Sequence, residues 1–229
     1  MQAKAQALPD PLPMDPMPLA AAWLQQAWDE KAQRNPNSMV LATTDAAGRP
    51  SARVVLCKEI VIDPGYLVFY TNYGSRKGQE LAARPWAAIV FQWDELGRQL
   101  RVEGPVATSP AAESDDYFAS RPWQSRLAAL TSEQSAPIAS RQDLLAKLRA
   151  TAARFGAPNP ESAADDAGAG LKLPRPPGWG GYHLWAASVE LWIEGEHRLH
   201  DRVRWTRELK FAGGSYGQVR PWQHQRLQP

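Results

Sequence analysis

The feature that most constrains the fold is a series of short strand-like segments separated by turn residues. Residues 38–44 and 51–58 are two such segments, and the Gly- and Pro-containing stretch 45–50 between them is typical of a hairpin turn. Further segments of this kind lie at residues 67–71, 86–93, 99–108, 179–193, 203–207 and 216–222. Strands in hairpin order predict a mainly β, antiparallel barrel and not a doubly wound sheet.

Helices are predicted at the periphery of this sheet. Apolar spacing and helix-entry residues indicate helices at residues 19–33, 75–84, 111–120 and 141–155. Residues 1–17 are expected to form a flexible arm, and residues 156–178, which have no hydrophobic period, a flexible linker. The sequence therefore predicts one domain over residues 18–229, with its barrel core and helices in 18–155 and a C-terminal region in 179–229.

Composition and charge exclude several classes of protein. A chain of 229 residues that is 44% hydrophobic can bury a substantial core, and its net charge of +2 does not suggest a nucleic-acid binder. The single cysteine, Cys57, excludes a disulfide framework and a cysteine-rich metal site; it is expected to be a core residue, and no metal is expected. Without a long apolar run or a secretion signal, the protein is expected to be cytoplasmic and away from membranes.

One group of cations suggests a site for phosphate. Ser75 is a suitable N-cap, so Arg76 and Lys77 fall in the first turn of a helix, where cations are unfavourable unless an anion lies beside them. Arg53 and Lys58 stand at the two ends of a strand segment that is expected to be buried. A solvated helix start is the alternative interpretation.

A second group suggests another phosphate site. Tyr117, Arg121 and Ser125 follow each other at four-residue steps, which form a compact set of hydrogen-bond donors. An ordinary surface pair of Tyr and Arg is the alternative. Gln134, Ser135 and Gln99 could bind the edge of a heterocyclic ring, although turn capping and a solvated strand face account for them equally well.

The third feature is the charged segment at residues 190–202. On an extended backbone, Arg198, His200 and Arg202 would project from one face, and such a row suits an anionic aromatic ligand better than a metal. The alternative is a charged hairpin tip without a ligand.

In the order of these groups, the chain resembles the pyridoxine (pyridoxamine) 5'-phosphate oxidase family. The resemblance covers residues 15–229 and is carried by residues 53–58, 69–72, 74–77, 98–99, 117–122, 134–135, 195–202, 222 and 226–229. It implies a homodimer of FMN-binding split barrels with two active sites at the subunit interface. The implied reaction oxidises pyridoxine or pyridoxamine 5'-phosphate to pyridoxal 5'-phosphate, with oxygen as the electron acceptor and hydrogen peroxide as the second product.

The resemblance also implies roles for individual residues. FMN would be bound by Arg53, Val54, Val55, Leu56, Cys57, Lys58, Tyr70, Thr71, Arg76, Lys77, Gln99, Gln134, Ser135, Trp192 and Arg202. The substrate would be bound by Lys58, Tyr117, Arg121, Ser125, Arg198, Leu199 and His200. Arg198 and His200 would be the catalytic residues that close over the pyridine ring.

Two segments depart from the family's pattern. After Ser125 the family usually has Gln, then Ile or Val, then a Gly-Ala-Trp-like run, whereas residues 126–130 here are Arg-Leu-Ala-Ala-Leu. The linker at 156–173 is longer and more polar than the pattern. Two alternatives therefore stand beside the oxidase: a related flavin oxidase of the phenazine-biosynthesis type, and a non-catalytic protein that binds FMN or pyridoxal phosphate.

Overall fold

The computed structural model describes residues 7–168, 170–213 and 215–229, which form five helices and twelve strands. The helices are α1 (Met17–Asp29), α2 (Arg76–Ala83), α3 (Ala111–Ser120), α4 (Trp123–Thr131) and α5 (Arg141–Arg154). The strands are β1 (Ser38–Thr44), β2 (Pro50–Leu56), β3 (Glu59–Val61), β4 (Tyr66–Asn72), β5 (Trp86–Trp93), β6 (Arg98–Thr108), β7 (Trp179–Trp185), β8 (Ser188–Ile193), β9 (Asp201–Thr206), β10 (Leu209–Ala212), β11 (Ser215–Gln218) and β12 (Gln223–Arg226).

Ten of these strands form one sheet. Its main path runs β12-β9-β8-β6-β5-β1-β2, while β7 pairs with β4 and β6, and β3 pairs with β4. Strands β10 and β11 form a separate hairpin. The pairings along the main path are antiparallel, which confirms the predicted mainly β, antiparallel fold.

Alternation along the strands explains why they form a sheet with one buried face. In β5 the side chains of Ala87, Ile89, Phe91 and Trp93 are buried, and the residues between them are more exposed. Successive side chains of a strand point to opposite faces, so this period of two buries one face against the core.

The chain divides into two compact units. The barrel unit comprises Met1–Phe69, of which residues 7 onward are described, with Glu80–Ala107 and His183–Pro229. The helical unit comprises Tyr70–Gln79 and Thr108–Tyr182. The division of the sequence into an arm and a single domain over residues 18–229 stays a prediction.

The helical unit has its own apolar core between α4, α5 and the segment that follows α5. The buried residues of this core are Trp123, Leu127, Ala152 and Leu173. Leu173 comes from the predicted linker, where a 3-10 turn also forms at Asp165–Gly168. Part of that linker therefore supplies core residues, although its composition shows no hydrophobic period.

The sequence predicted most element positions and missed some elements. Helix α4 was not predicted; it begins directly after Pro122, whose φ of −50° and ψ of 141° make it the N-cap of this helix. Strands β3, β10 and β12 were also not predicted. The predicted strand at 179–193 is two strands, β7 and β8.

One burial prediction is wrong and one is confirmed. Val54 is 66% exposed and Leu56 is 38% exposed, so β2 does not form a buried segment. The reason is that β2 ends the main strand path, next to β1 alone. Cys57, in contrast, is buried, and this burial raises the pKa of its thiol to about 12, which keeps it protonated.

The described part of the predicted arm contacts β9. The backbone N–H of Leu8 donates to Asp201 Oδ2 at 2.9 Å, and Trp205 Nε1 donates to the carbonyl of Pro13 at 2.9 Å. Residues 1–6 of the predicted arm lie outside the described residues. Among the described residues, no helix is long and apolar enough to cross a membrane.

Leu127→Ala tests the core of the helical unit. Leu127 has no exposed surface, and we expect the substitution to lower the free energy of unfolding by about 2–4 kcal/mol, because it leaves a cavity beside Trp123. Urea denaturation measures the effect. Leu144→Ala on α5, where the side chain is 39% exposed, is the matched control and should change stability by less than about 0.5 kcal/mol. Equal losses in both variants would contradict the assigned core.

Candidate active site

The start of α2 holds a polar cluster in the helical unit. Ser75 Oγ accepts a hydrogen bond from the backbone N–H of Gly78 at 3.3 Å, the contact expected of an N-cap. Lys77 is buried, and its Nζ donates to Thr71 Oγ1 at 2.9 Å, Ser75 Oγ at 3.0 Å and Gln134 Oε1 at 2.9 Å. These acceptors are neutral oxygens, and Lys77 lies in the first turn of α2, where the helix dipole also favours an anion.

Gln134 joins this cluster through an unusual backbone turn. Thr71 Oγ1 donates to Gln134 Oε1 at 3.0 Å, and the next residue, Ser135, has a φ of 73°. A left-handed φ is uncommon for serine and costs free energy. The structure thus brings together Thr71, Lys77 and Gln134, three residues that the sequence predicted to bind FMN.

A stack of aromatic rings lies in the same unit. The Tyr70 ring is stacked on Tyr117 with 4.0 Å between centroids, and on Trp179 with 5.5 Å between centroids. The Arg121 guanidinium carbon lies 4.8 Å from the centre of the Trp179 ring. Two predicted substrate ligands, Tyr117 and Arg121, therefore share Trp179, which the sequence analysis did not identify.

The positive charge of Arg121 in this stack has no carboxylate partner among the described residues. Its Nη1 is buried and has no hydrogen-bond partner among the described residues. Burial lowers the pKa of the guanidinium below its ordinary value, and the charge of Arg126 lowers it further. Ser125 lies in the first turn of α4, whose N-cap Pro122 supplies no side-chain acceptor. An orphaned guanidinium N–H beside the start of a helix is suited to an anion.

In the barrel unit, the charge of Arg53 is balanced inside the protein. Its Nη2 donates to Glu80 Oε2 at 3.1 Å and also donates to Ser51, while Nη1 donates to the hydroxyl of Thr43 at 2.5 Å. Glu80 is buried and also accepts from Thr43 and Ser51. Lys58 lies just beyond β2, and its backbone N–H donates to Val68 at 2.8 Å.

The segment around Arg198 is a turn and not an extended strand. It connects β8 to β9, whose antiparallel register joins Ile193 to Asp201. His197 has a φ of 55° and Arg198 a φ of 66°, so the prediction that Arg198, His200 and Arg202 project from one extended face is wrong. The hairpin closes tightly, since a Cβ at Gly195 would lie 1.9 Å from the carbonyl oxygen of Leu199.

His200 is held at the base of this turn. Its Nδ1 accepts a hydrogen bond from the backbone N–H of Gly195 at 3.1 Å, and its ring lies 4.6 Å from the Trp192 ring. Arg198 and Leu199 are exposed at the tip. The His200 side chain is thus anchored to the turn by a hydrogen bond, and the backbone N–H of Leu199 donates to the carbonyl of Glu196 at 3.0 Å.

Three predicted FMN ligands lie side by side on adjacent strands. Gln99 on β6 is directly opposite Trp192 on β8, and Trp192 is directly opposite Arg202 on β9. Directly opposed residues of antiparallel strands point to the same face. The register therefore places an amide, an indole and a guanidinium in one row.

Glu190 fixes this row and was missed by the sequence analysis. Its carboxylate is 3% exposed and accepts from Arg202 at 2.8 Å, Arg204 at 3.2 Å and Arg101 at 3.4 Å. Burial alone would raise the pKa of Glu190, but the hydrogen bonds from Arg202 and Arg204 and the charge of Arg101 bring it below the ordinary value. The only sequence signal is an acidic residue inside an otherwise apolar strand.

The antiparallel sheet with this strand order is a split barrel of the class that binds FMN, and two family models match the chain. The model for pyridoxamine 5'-phosphate oxidase matches residues 24–155, and the model for the pyridoxine 5'-phosphate oxidase C-terminal dimerisation region matches residues 179–229. The chain belongs to the pyridoxamine 5'-phosphate oxidase family, a family of FMN-dependent enzymes.

Individual relatives agree with this assignment. A pyridoxine/pyridoxamine 5'-phosphate oxidase of Cereibacter sphaeroides is 44% identical over 90% of this chain and 95% of its own. One from Burkholderia mallei is 47% identical over 90% of this chain and 86% of its own.

Two solved structures share the fold. PhzG from Burkholderia lata 383, in complex with tetrahydrophenazine-1-carboxylic acid, superposes with a TM-score of 0.80 at 30% identity and covers 96% of this chain and 95% of its own. A pyridoxamine 5'-phosphate oxidase-related, FMN-binding protein from Nostoc punctiforme has a TM-score of 0.60 at 16% identity, over 95% of this chain and all of its own. The second likeness concerns the fold alone.

Glu190→Gln tests the role of the buried carboxylate. The lowered pKa means that the ionised form stabilises the fold above the ordinary carboxyl pKa, and that this contribution is lost as the pH falls through the lowered value. We expect the variant to be less stable by about 2 kcal/mol at pH 7. The difference from the wild type should shrink as the pH is lowered below 4.

Chemical denaturation at pH 7 and at pH 3.5 measures this difference. The control is Glu208→Gln, which removes an exposed ion pair with Arg220 and should cost less than about 0.5 kcal/mol. A Glu190→Gln effect that did not depend on pH would contradict the electrostatic explanation.

Proposed function

We propose that the protein oxidises pyridoxine 5'-phosphate or pyridoxamine 5'-phosphate to pyridoxal 5'-phosphate, with FMN as cofactor and oxygen as electron acceptor. The observation that carries the proposal is the buried Nη1 of Arg121, which has no partner among the described residues. Relatives named for this oxidation, at 44–47% identity, support the same substrate class.

The substrate phosphate would bind to Arg121. A phosphate oxygen would satisfy the orphaned N–H and balance the half-buried charge. The hydroxyls of Tyr117 and Ser125 would donate to the same group, and the family's pattern adds Lys58. The face of Trp179 holds the guanidinium in place through a cation–π contact. Binding of the phosphate would therefore cost little conformational entropy of the Arg121 side chain.

The residues that are proposed to bind FMN fit its chemistry. In the helical unit, the buried ammonium of Lys77 and the first turn of α2 suit the phosphate of the cofactor. In the barrel unit, the row of Gln99, Trp192 and Arg202 suits a polar heterocycle. When bound, FMN would supply the electron acceptor that takes a hydride equivalent from the substrate and is reoxidised by oxygen, which yields hydrogen peroxide.

His200 and Arg198 would orient the substrate ring. Because His200 Nδ1 accepts from the Gly195 N–H, the neutral imidazole carries its proton on Nε2, which can donate to a substrate oxygen or nitrogen. Arg198 would place a positive charge beside the ring. Its left-handed φ is the kind of strain that is retained where a side chain has to be aimed.

We also propose that the protein is a homodimer. The matched C-terminal family model is named for dimerisation, and the end of the sheet carries an exposed apolar patch. Val40 on β1 is 42% exposed and is directly opposite Val54 on β2, which is 66% exposed. An apolar patch on an end strand favours burial against a second copy.

A related flavin oxidase that acts on a phenazine precursor is the second candidate. The likeness to PhzG over 96% of the chain favours it. The orphaned Arg121, together with Tyr117 and Ser125, favours a phosphorylated substrate instead.

Anaerobic mixing of the purified yellow protein with pyridoxine 5'-phosphate tests the proposed reaction. We expect the flavin absorbance to bleach and to return on admission of oxygen, together with pyridoxal 5'-phosphate and hydrogen peroxide. Bleaching by a dihydrophenazine carboxylate but not by pyridoxine 5'-phosphate would favour the second candidate. A yellow spectrum that stays unchanged with both would indicate a binding protein.

Arg198→Ala tests the role of the turn. We expect kcat to fall by about 100-fold, because a charge aimed at the reacting ring is lost, while the Kd for FMN changes by less than about threefold. Steady-state kinetics and flavin fluorescence titration measure the two quantities. Arg34→Ala, at an exposed loop position, should leave both unchanged. Normal turnover of Arg198→Ala would refute the assignment.

A further inference from the structure

Arg126 is a partly buried cation that the proposed function does not use. It follows Ser125 directly, at the position where the family's pattern has Gln. Its Nη1 donates to the carbonyl of Leu171 at 3.5 Å, but its Nε is buried and has no hydrogen-bond partner among the described residues. A buried donor without an acceptor costs free energy, so this N–H calls for an acceptor from outside the chain.

Arg121, also in the helical unit, has a buried N–H without an acceptor as well. Its Nη1 is also buried without a partner, and Arg126 is near enough for its charge to lower the pKa of Arg121, in addition to the effect of burial. Among the described residues, neither guanidinium forms an ion pair with a carboxylate. Two neighbouring like charges, each with a buried N–H that has no acceptor among the described residues, destabilise the protein until an anion binds to them.

Arg126 lies beside the core of the helical unit. Leu127, the next residue, is fully buried in the core of the helical unit, and Leu171 packs against that core from the segment after α5. The side chain is therefore anchored by its neighbour on one side and by the Leu171 carbonyl on the other. The two segments that depart from the family's pattern meet at this residue.

We infer that Arg126 is a specificity-determining residue that, with Arg121, forms a two-guanidinium site selective for a dianionic phosphoryl group over a monoanion or a carboxylate. The inference rests on the proposed function, which it deepens. A phosphate monoester carries nearly two negative charges above its second pKa of about 6, and two guanidinium groups balance that charge. A carboxylate, with one charge, would leave one guanidinium uncompensated.

Arg126→Gln, which restores the residue of the family's pattern, tests the inference in the purified holoenzyme. At pH 7.5 we expect the KM for pyridoxine 5'-phosphate to rise about tenfold, while kcat changes by less than about twofold, because the lost contact lies away from the reacting carbon. Arg126→Lys, which keeps the charge, should give a smaller rise of about threefold. Arg141→Gln, at an exposed position of α5, is the matched control and should leave KM unchanged.

The pH dependence separates recognition of charge from a structural role. Lowering the pH from 7.5 to 5.5 protonates the phosphate ester, so the KM of the wild type should rise. In Arg126→Gln this rise should be smaller, because the variant has less preference for the dianion. An unchanged KM in Arg126→Gln, or an equal pH dependence in both proteins, would overturn the inference and leave the proposed oxidation standing.

A measurement without turnover distinguishes the two proposals. We expect inorganic phosphate to raise the Tm of the wild-type holoenzyme and to raise that of Arg126→Gln less. If the wild type shows this effect but does not oxidise pyridoxine 5'-phosphate, the proposed substrate falls and the anion site stands. If phosphate raises the Tm of both proteins equally, the site assigned to Arg126 is refuted.

Discussion

The barrel unit depends on a buried carboxylate that joins three neighbouring strands. Glu190 on β8 is directly opposite Arg101 on β6 and Arg204 on β9, and it also accepts from Arg202. A buried charge is tolerated only where it is paired and hydrogen-bonded, and a shift of one residue would move Glu190 to the other face and break these pairs. The carboxylate therefore fixes the register, and the register aligns Gln99, Trp192 and Arg202.

The same balance of charge divides four arginines of these clusters into two groups. Arg53 and Arg202 have buried carboxylate partners, Glu80 and Glu190, so their positive charges are compensated within the chain. Arg121 and Arg126 have none among the described residues, and each has a buried N–H without an acceptor. Compensated arginines can position a cofactor through the remaining donors, whereas uncompensated ones create a demand for an anion.

Backbone strain is found at two of the predicted ligand segments. Non-glycine residues with a left-handed φ include Ser135, His197 and Arg198, and two of these three are predicted ligands. Such conformations cost about 1–3 kcal/mol each and persist where surrounding contacts enforce them. At His197 and Arg198 the enforcing contact is the close approach of Gly195 to Leu199, which leaves no room for a side chain at residue 195. The turn that connects β8 to β9 thus leaves Arg198 exposed at its tip.

Local patterns in the sequence were sufficient to predict most elements and the residue types of the site. Alternation and turn residues predicted β1, β2, β5 and β6, because a half-buried strand has to alternate, and helical spacing with end signals predicted α3 and α5 nearly to the residue. The resemblance to the family then supplied the candidate ligands. Residues 198–202 show the limit of local patterns, since spacing alone suggested an extended row where the chain makes a turn.

Long-range contacts were decided only by the tertiary structure. The sequence by itself determined that the chain is mainly β, that it carries two sets of phosphate-type donors, and that it belongs with FMN-dependent oxidases. It did not determine which arginines are neutralised, since Glu80 on α2 meets Arg53 on β2, and Glu190 on β8 meets Arg202 on β9, only in the folded chain. It also did not reveal that Leu171, 45 residues away, accepts from Arg126. Charge compensation is a property of neighbours in space, so only the folded chain shows where it is missing.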